Sequence, residues 1–139
     1  MVKLIVGKKG TGKTKRMINI ANDSLEIKGG SIVFINKDNG TMYDLKHDIR
    51  MISMDEYEEL TNADEYIGFL YGIVSADHDV EMIFIDSILK QAHIKLDNLP
   101  KFLERLNVIA KKYNIEFVVS ISADSSELTG IDKKYEIIN

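Results

Sequence analysis

Short runs of β-branched and other apolar residues alternate along the chain with longer stretches in which apolar side chains recur every three or four positions. Residues 3–6, 31–35, 82–85 and 117–121 read as strands, most of them bounded by Gly, Asp, Asn or Ser. A shorter strand is predicted at residues 49–53, and the tail 135–138 is expected to add an edge strand. Residues 13–27 carry Met17, Ile18, Ala21 and Leu25 at helical spacing, and residues 99–113 carry Phe102, Leu103, Leu106, Ile109 and Ala110 in the same way. Pro100, the only proline, falls in the first turn of the latter helix, where a missing N–H costs nothing. Between Asp55 and Ser75 the pattern is that of a broken helical region, with Tyr66, Phe69, Leu70 and Ile73 facing the sheet. Gly29-Gly30 is expected to stop the first helix, and residues 36–40 to form a loop. Strands apolar on both faces and alternating with helices predict an α/β fold, a sheet covered by helices on each side.

Length and composition fit this picture. At 139 residues, residues 1–139 are expected to form a single domain. Hydrophobic residues make up 45% and charged residues 29%, a globular rather than a disordered composition. No apolar stretch reaches the roughly 20 residues needed to span a bilayer, so no membrane contact and a cytoplasmic location are expected. The absence of cysteine excludes disulfides, thiolate metal sites and cysteine nucleophiles. His47, His78 and His93 are widely spaced and supply no metal framework. The net charge of -4 makes nucleic acid an unlikely partner for the surface as a whole. Charge is nevertheless uneven. The ionisable side chains between Met1 and Arg16 are Lys3, Lys8, Lys9, Lys13, Lys15 and Arg16, with no acid among them.

That basic segment contains Gly7-Lys8-Lys9-Gly10-Thr11-Gly12-Lys13-Thr14, which matches G-x-x-x-x-G-K-S/T at every fixed position. Gly7, Gly10 and Gly12 let the backbone wrap round a phosphate with its N–H groups inward. Lys13 would set a compact positive charge on the β and γ phosphates, and the Thr14 hydroxyl can ligate Mg²⁺. The helix that follows brings its positive dipole end to the same anion. A chance match in a chain of this size has a probability of roughly 0.5% at average composition. Here it also lies between an apolar strand and an amphipathic helix, the context the chemistry requires. A second element, Met82-Ile83-Phe84-Ile85-Asp86, is an apolar strand ending in an acid. A parallel strand beside the loop would place Asp86 at the carboxyl edge of the sheet, where it could hold Mg²⁺ directly or through water.

With these two elements the chain resembles the P-loop NTPase superfamily, Gly7 to Thr14 standing as Walker A and Met82 to Asp86 as Walker B. The resemblance covers nearly the whole length and implies a three-layer core with a mainly parallel sheet flanked by helices. The order of elements, ending in a strand that carries Ser120-Ile121-Ser122, is similar to the branch that includes RecA-like ATPases and thymidine kinases. In that branch the last strand often ends in a polar residue that senses the γ phosphate, which here would be Ser120 or Ser122. The chain is also similar to small bacterial ATP-binding proteins sometimes labelled PilT-like, although the further domain and motifs of a pilus motor do not fit into 139 residues.

Hydrolysing members of this branch place a glutamate after the Walker B acid or at the end of a neighbouring strand. Here Ser87 follows Asp86, and the nearest acid beyond residues 31–35 is Asp38, which also reads as part of an Asp-Asn-Gly turn. A lysine at the Lys8 position reaches a partner subunit's nucleotide in ParA- and MinD-type ATPases, but the glycine expected next is Lys9. Asn36-Lys37 resembles a guanine-reading N-K-x-D motif and fails it, because Asn39 holds the acid position. Met42, Met51 and Met54 read as core or edge packing, and Tyr57, Tyr71 or Tyr113 could stack on a base. The expectation is an ATP- and Mg²⁺-binding protein, a slow ATPase or a non-hydrolysing nucleotide-gated module acting on a protein partner or as a homo-oligomer. A small-molecule kinase ranks lower, since Arg16, Arg50 and Arg105 are the only arginines and form no arginine-rich lid.

Overall fold

A computed structural model describes residues 1–139. The sheet is built from β1 (Val2–Gly7), β2 (Ser31–Asn36), β3 (Ile49–Ser53), β4 (Val80–Ile85), β5 (Glu116–Ser122) and β6 (Glu136–Ile137). Its order is β3-β2-β4-β5-β1-β6, and every pairing is parallel. The helices are α1 (Lys13–Ser24), α2 (Ala63–Ala76), α3 (Ile88–Gln91), α4 (Leu99–Tyr113) and α5 (Ile131–Lys134).

Alternation along the strands divides the core by face. Leu4, Val33, Ile35, Ile83, Ile85, Phe117 and Val119 point to the side covered by α2 and α4, where they join Tyr66, Leu70, Phe102, Leu103 and Leu106. Ile5, Ile32, Phe34, Met82, Phe84 and Val118 point to the other side and meet Met17, Ile18 and Ala21 of α1. Phe34 and Phe84 stack there with ring centroids 5.7 Å apart. Tyr66, Leu70, Phe69 and Ile73 all pack on the first of these cores, as their spacing predicts.

The first helix stops earlier than its apolar pattern. It ends at Ser24, whose hydroxyl donates to the Ile20 carbonyl at 2.7 Å and competes with the helical ladder. Ile27 is exposed, and Gly29-Gly30 lies in the connection rather than at the helix end. Gly30 is needed for a different reason. A Cβ there would stand 2.2 Å from the Asp79 carbonyl oxygen, while the Gly30 N–H donates to Glu81 at 2.8 Å. Gly30→Ala is expected to cost about 1–3 kcal/mol in urea unfolding, whereas Gly29→Ala, which meets open space, should be nearly silent.

The helical region after β3 is broken as its pattern predicts, into a 3₁₀ turn at Met54–Glu56 and α2. The break is enforced by Asn62, whose side chain accepts the Glu65 N–H at 2.9 Å and caps α2. The edge strand β6 docks parallel to β1, and Asn139 continues its pairing through a side chain. The Asn139 amide accepts the Val6 N–H and donates to the Val6 carbonyl, both at 2.8 Å. The last turn of β1 before the glycine-rich loop is thus held on both sides.

Candidate functional site

Loop 7–14 joins β1 to α1 at the carboxyl edge of the sheet. β1 continues into α1 on one face and β4 leads to α4 on the other, with the end of β5 between them, the kind of position at which open α/β sheets bind ligands. Gly10 and Gly12 both have φ +85, a left-handed conformation that L side chains rarely adopt. A Cβ on either would meet nothing within 4 Å, so the two glycines answer to backbone conformation rather than crowding. Gly7 is the crowded one, 2.6 Å from the Thr11 hydroxyl to an added Cβ.

The amino end of α1 is left without a cap. No side chain accepts from its first turn and no acid lies in it, and the first loop-to-helix bond runs from the Arg16 N–H to the Gly12 carbonyl at 3.1 Å. The preceding amides therefore point toward the loop, with the positive end of a twelve-residue helix behind them. Lys13 is only 8% exposed, and its ammonium donates to the Lys8 carbonyl at 2.8 Å. Burial pulls its pKa down from the ordinary lysine value, and the charge of Asp86 opposes that pull. Lys8 and Lys9 project outward. Lys8 pairs with Asp124 at 3.4 Å across mostly open surface, where such a pair contributes little. Asp124 is held below the usual carboxylate range first by the Ser126 N–H and then by Lys8. Thr11 turns its hydroxyl back to the Lys8 carbonyl at 2.8 Å.

Asp86 lies at the end of β4, 4% exposed. The sequence places its strand beside the loop; instead β5 stands between β4 and β1. Asp86 still reaches the loop across that strand, because its Oδ2 accepts the Thr14 hydroxyl at 2.7 Å. Its Oδ1 accepts the Ser120 hydroxyl at 2.6 Å, and Ser120 in turn accepts the Ser87 N–H at 2.7 Å. The inserted strand thus fixes the carboxylate from behind. Ser120 is fully buried and occupied by these bonds, which makes it a positioning residue for Asp86. Ser122 is different. It is exposed and stands opposite Gly7 in the β1–β5 register.

Asp38 does not approach Asp86. It lies on the surface with its carboxylate accepting the Gly40 N–H at 2.9 Å, a loop-stabilising turn. The residue at the end of the neighbouring strand is Asn36, which is buried within β2 rather than starting the loop. Its amide is spent on the Thr41 hydroxyl at 3.1 Å and the Lys37 N–H at 2.7 Å. An amide there has no basic oxygen with which to take a proton from water.

Two further features were not legible in the sequence. Gln91, on α3, is 5% exposed and donates to the main-chain carbonyls of Ile35, at 3.0 Å, and of Asp86. Its Oε1 accepts the Tyr66 hydroxyl at 2.7 Å, and burial raises the Tyr66 phenol well above its ordinary value. The second is a cleft of about 590 Å³ beside the loop, lined by Gly12, Thr14, Lys15 and Asn19 and closed by Thr41 and Asp44 of the β2–β3 connection. That connection is anchored to α1 by Asn22, which bonds the Asp44 carbonyl at 3.0 Å and the Lys46 N–H at 2.9 Å. Between Thr41 and Asp44 it presents Tyr43, 91% exposed. Of the tyrosines read as base-stacking candidates, Tyr71 and Tyr113 pack edge-to-face on each other, while Tyr57 borders a different cleft.

The loop contributes an ammonium and uncapped amides, and Thr14 with Asp86 contributes adjoining hard oxygen donors of the kind Mg²⁺ prefers. Such a set can bind a polyphosphate and its cation. Compared with models of known protein families and with characterised proteins, the chain matches none.

Proposed function

We propose that the protein is a P-loop nucleotide-binding protein that takes Mg-ATP between loop 7–14 and Asp86. The single observation that carries this reading is the Thr14–Asp86 contact of 2.7 Å, which joins the two sequence elements into one site beside the buried Lys13. Loop amides and Lys13 would hold the β and γ phosphates, Lys13 exchanging the Lys8 carbonyl for phosphate oxygen. Thr14 and Asp86 would hold Mg²⁺, which when bound neutralises phosphate charge. The cleft over Thr41 and Asp44 would take the base, with Tyr43 free to stack on it. Ser122, next to Gly7, is better placed than Ser120 to meet the terminal phosphate.

Asn36 and Ser87 favour a nucleotide-gated module with slow or no turnover over an efficient ATPase. In that role the protein would act on a protein partner or on another copy of itself. Malachite-green phosphate release separates the two readings. The module predicts no sustained release by purified protein with Mg-ATP, while steady release that Lys13→Ala abolishes would establish an ATPase.

A further inference from the structure

A second cleft, of about 390 Å³, opens at the same carboxyl edge on the side of Asp86 away from the glycine-rich loop. Its size lies in the range that encloses a small metabolite. Three segments build it: Lys37 follows β2, Asp55, Tyr57 and Glu58 follow β3, and Lys90, Gln91 and His93 follow β4. The walls are tied together, since the Asp55 N–H donates to the Lys37 carbonyl at 2.9 Å and the Ser53 hydroxyl bonds the Asp55 carboxylate.

The charges in it are balanced and separated in origin. Lys37 and Lys90 enter from β2 and β4 and take part in no ion pair. Asp55 and Glu58 enter from the turn after β3, which continues with Glu56 and Glu59 into an adjoining hollow floored by Ile52 and Phe69. Met54, Tyr57 and Leu60 supply apolar surface. A polyphosphate suits this lining badly: the carboxylates repel it, and neither a glycine-rich turn nor a long helix start supplies amides. A molecule with one negative and one positive end around an apolar body satisfies both sets.

His93 is held at the mouth in a left-handed conformation, φ +55, where a glycine commonly ends a helix. The Ile94 N–H to Leu89 carbonyl bond, 3.1 Å, closes that helix end. Beneath lies Gln91, whose amide bonds the Asp86 main chain, so the cleft floor and the Mg²⁺ candidate share one side chain.

We infer that this cleft binds a zwitterionic small molecule with an apolar body, of the size of a large amino acid, its carboxylate on Lys37 and Lys90 and its ammonium on Asp55 and Glu58. Coupling to nucleotide through Gln91 rests on the function proposed above; occupancy of the cleft does not. The test is an amide NMR titration of the nucleotide-free protein with L-phenylalanine, and separately with phenylacetate and phenethylamine, which carry one charge each. Saturable shifts at Tyr57, Gln91 and His93 are expected with phenylalanine, with affinity at least about tenfold weaker for either half-ligand and for Lys37→Ala/Lys90→Ala. Absence of saturable shifts up to about 10 mM, a very weak affinity, or equal binding by the double variant would overturn the inference. Repeating the ATP titration with phenylalanine present then reads the coupling: a changed ATP affinity supports the relay, and unchanged affinity removes it while leaving the cleft result standing.

Discussion

Replacing Lys13 by alanine is expected to weaken Mg-ATP binding roughly 100-fold or more, the loss of two charge-assisted hydrogen bonds to phosphate at about 1.5–3 kcal/mol each. The same substitution should leave the unliganded protein as stable as wild type, or more so. Burial lowers the Lys13 pKa in the folded state, so folding carries the cost of a desolvated ammonium. For a depressed lysine that cost is fully present below the folded pKa and is relieved only as pH rises toward the unfolded value of about 10.4. At neutral pH alanine therefore removes a penalty together with one hydrogen bond to the Lys8 carbonyl. Urea midpoints without nucleotide and calorimetry with Mg-ATP check the two halves separately. A variant that loses both stability and binding would show Lys13 to be structural instead.

Asp86→Asn should abolish most of the gain in ATP affinity that Mg²⁺ confers, a change of roughly tenfold or more, while nucleotide binding without magnesium persists. The amide retains one acceptor oxygen for the Ser120 hydroxyl, and the Thr14 hydroxyl can rotate to accept from its NH₂. Asp86→Ala is harsher. It strips the acceptor from both hydroxyls, and the buried Ser120 cannot turn to water, so a stability loss of about 1–3 kcal/mol is expected in urea unfolding. Titrations of the asparagine variant with and without magnesium give the discriminating comparison. An undiminished magnesium effect would remove Asp86 from the cation site.

The sheet was largely legible because buried parallel strands are continuous apolar runs, here carrying Ile83, Ile85, Phe117 and Val119. Boundaries were less so. α1 ends at Ser24, whose hydroxyl bonds back to Ile20, although the apolar period of Met17, Ile18, Ala21 and Leu25 runs one residue further. Strand order was also hidden. Nothing in residues 116–122 states that β5 inserts between β4 and β1, where its Ser120 hydroxyl donates to Asp86.

The glycine-rich loop and Asp86 could be named from sequence because their chemistry fixes residue type and spacing locally. The rest of the candidate site is assembled from distant segments. Asn36 reads as the start of a turn, and only the folded chain buries it at the end of β2, next to β4. Gln91 sits between Lys90 and His93 in a segment of mixed polarity, and its links to Ile35, Asp86 and Tyr66 exist only once β2, the end of β4 and α2 meet α3. Tyr43 gives no periodic signal, since it lies in a loop, between the cleft-lining residues Thr41 and Asp44.

Whether loop 7–14, with Asp86, is a nucleotide site is decided by calorimetric titration of the wild-type protein with Mg-ATP. Saturable binding of one ATP per chain is expected, tighter with magnesium than with a chelator. No measurable heat or saturation at concentrations up to about 1 mM, the weak limit of nucleotide recognition on this scale, would contradict it.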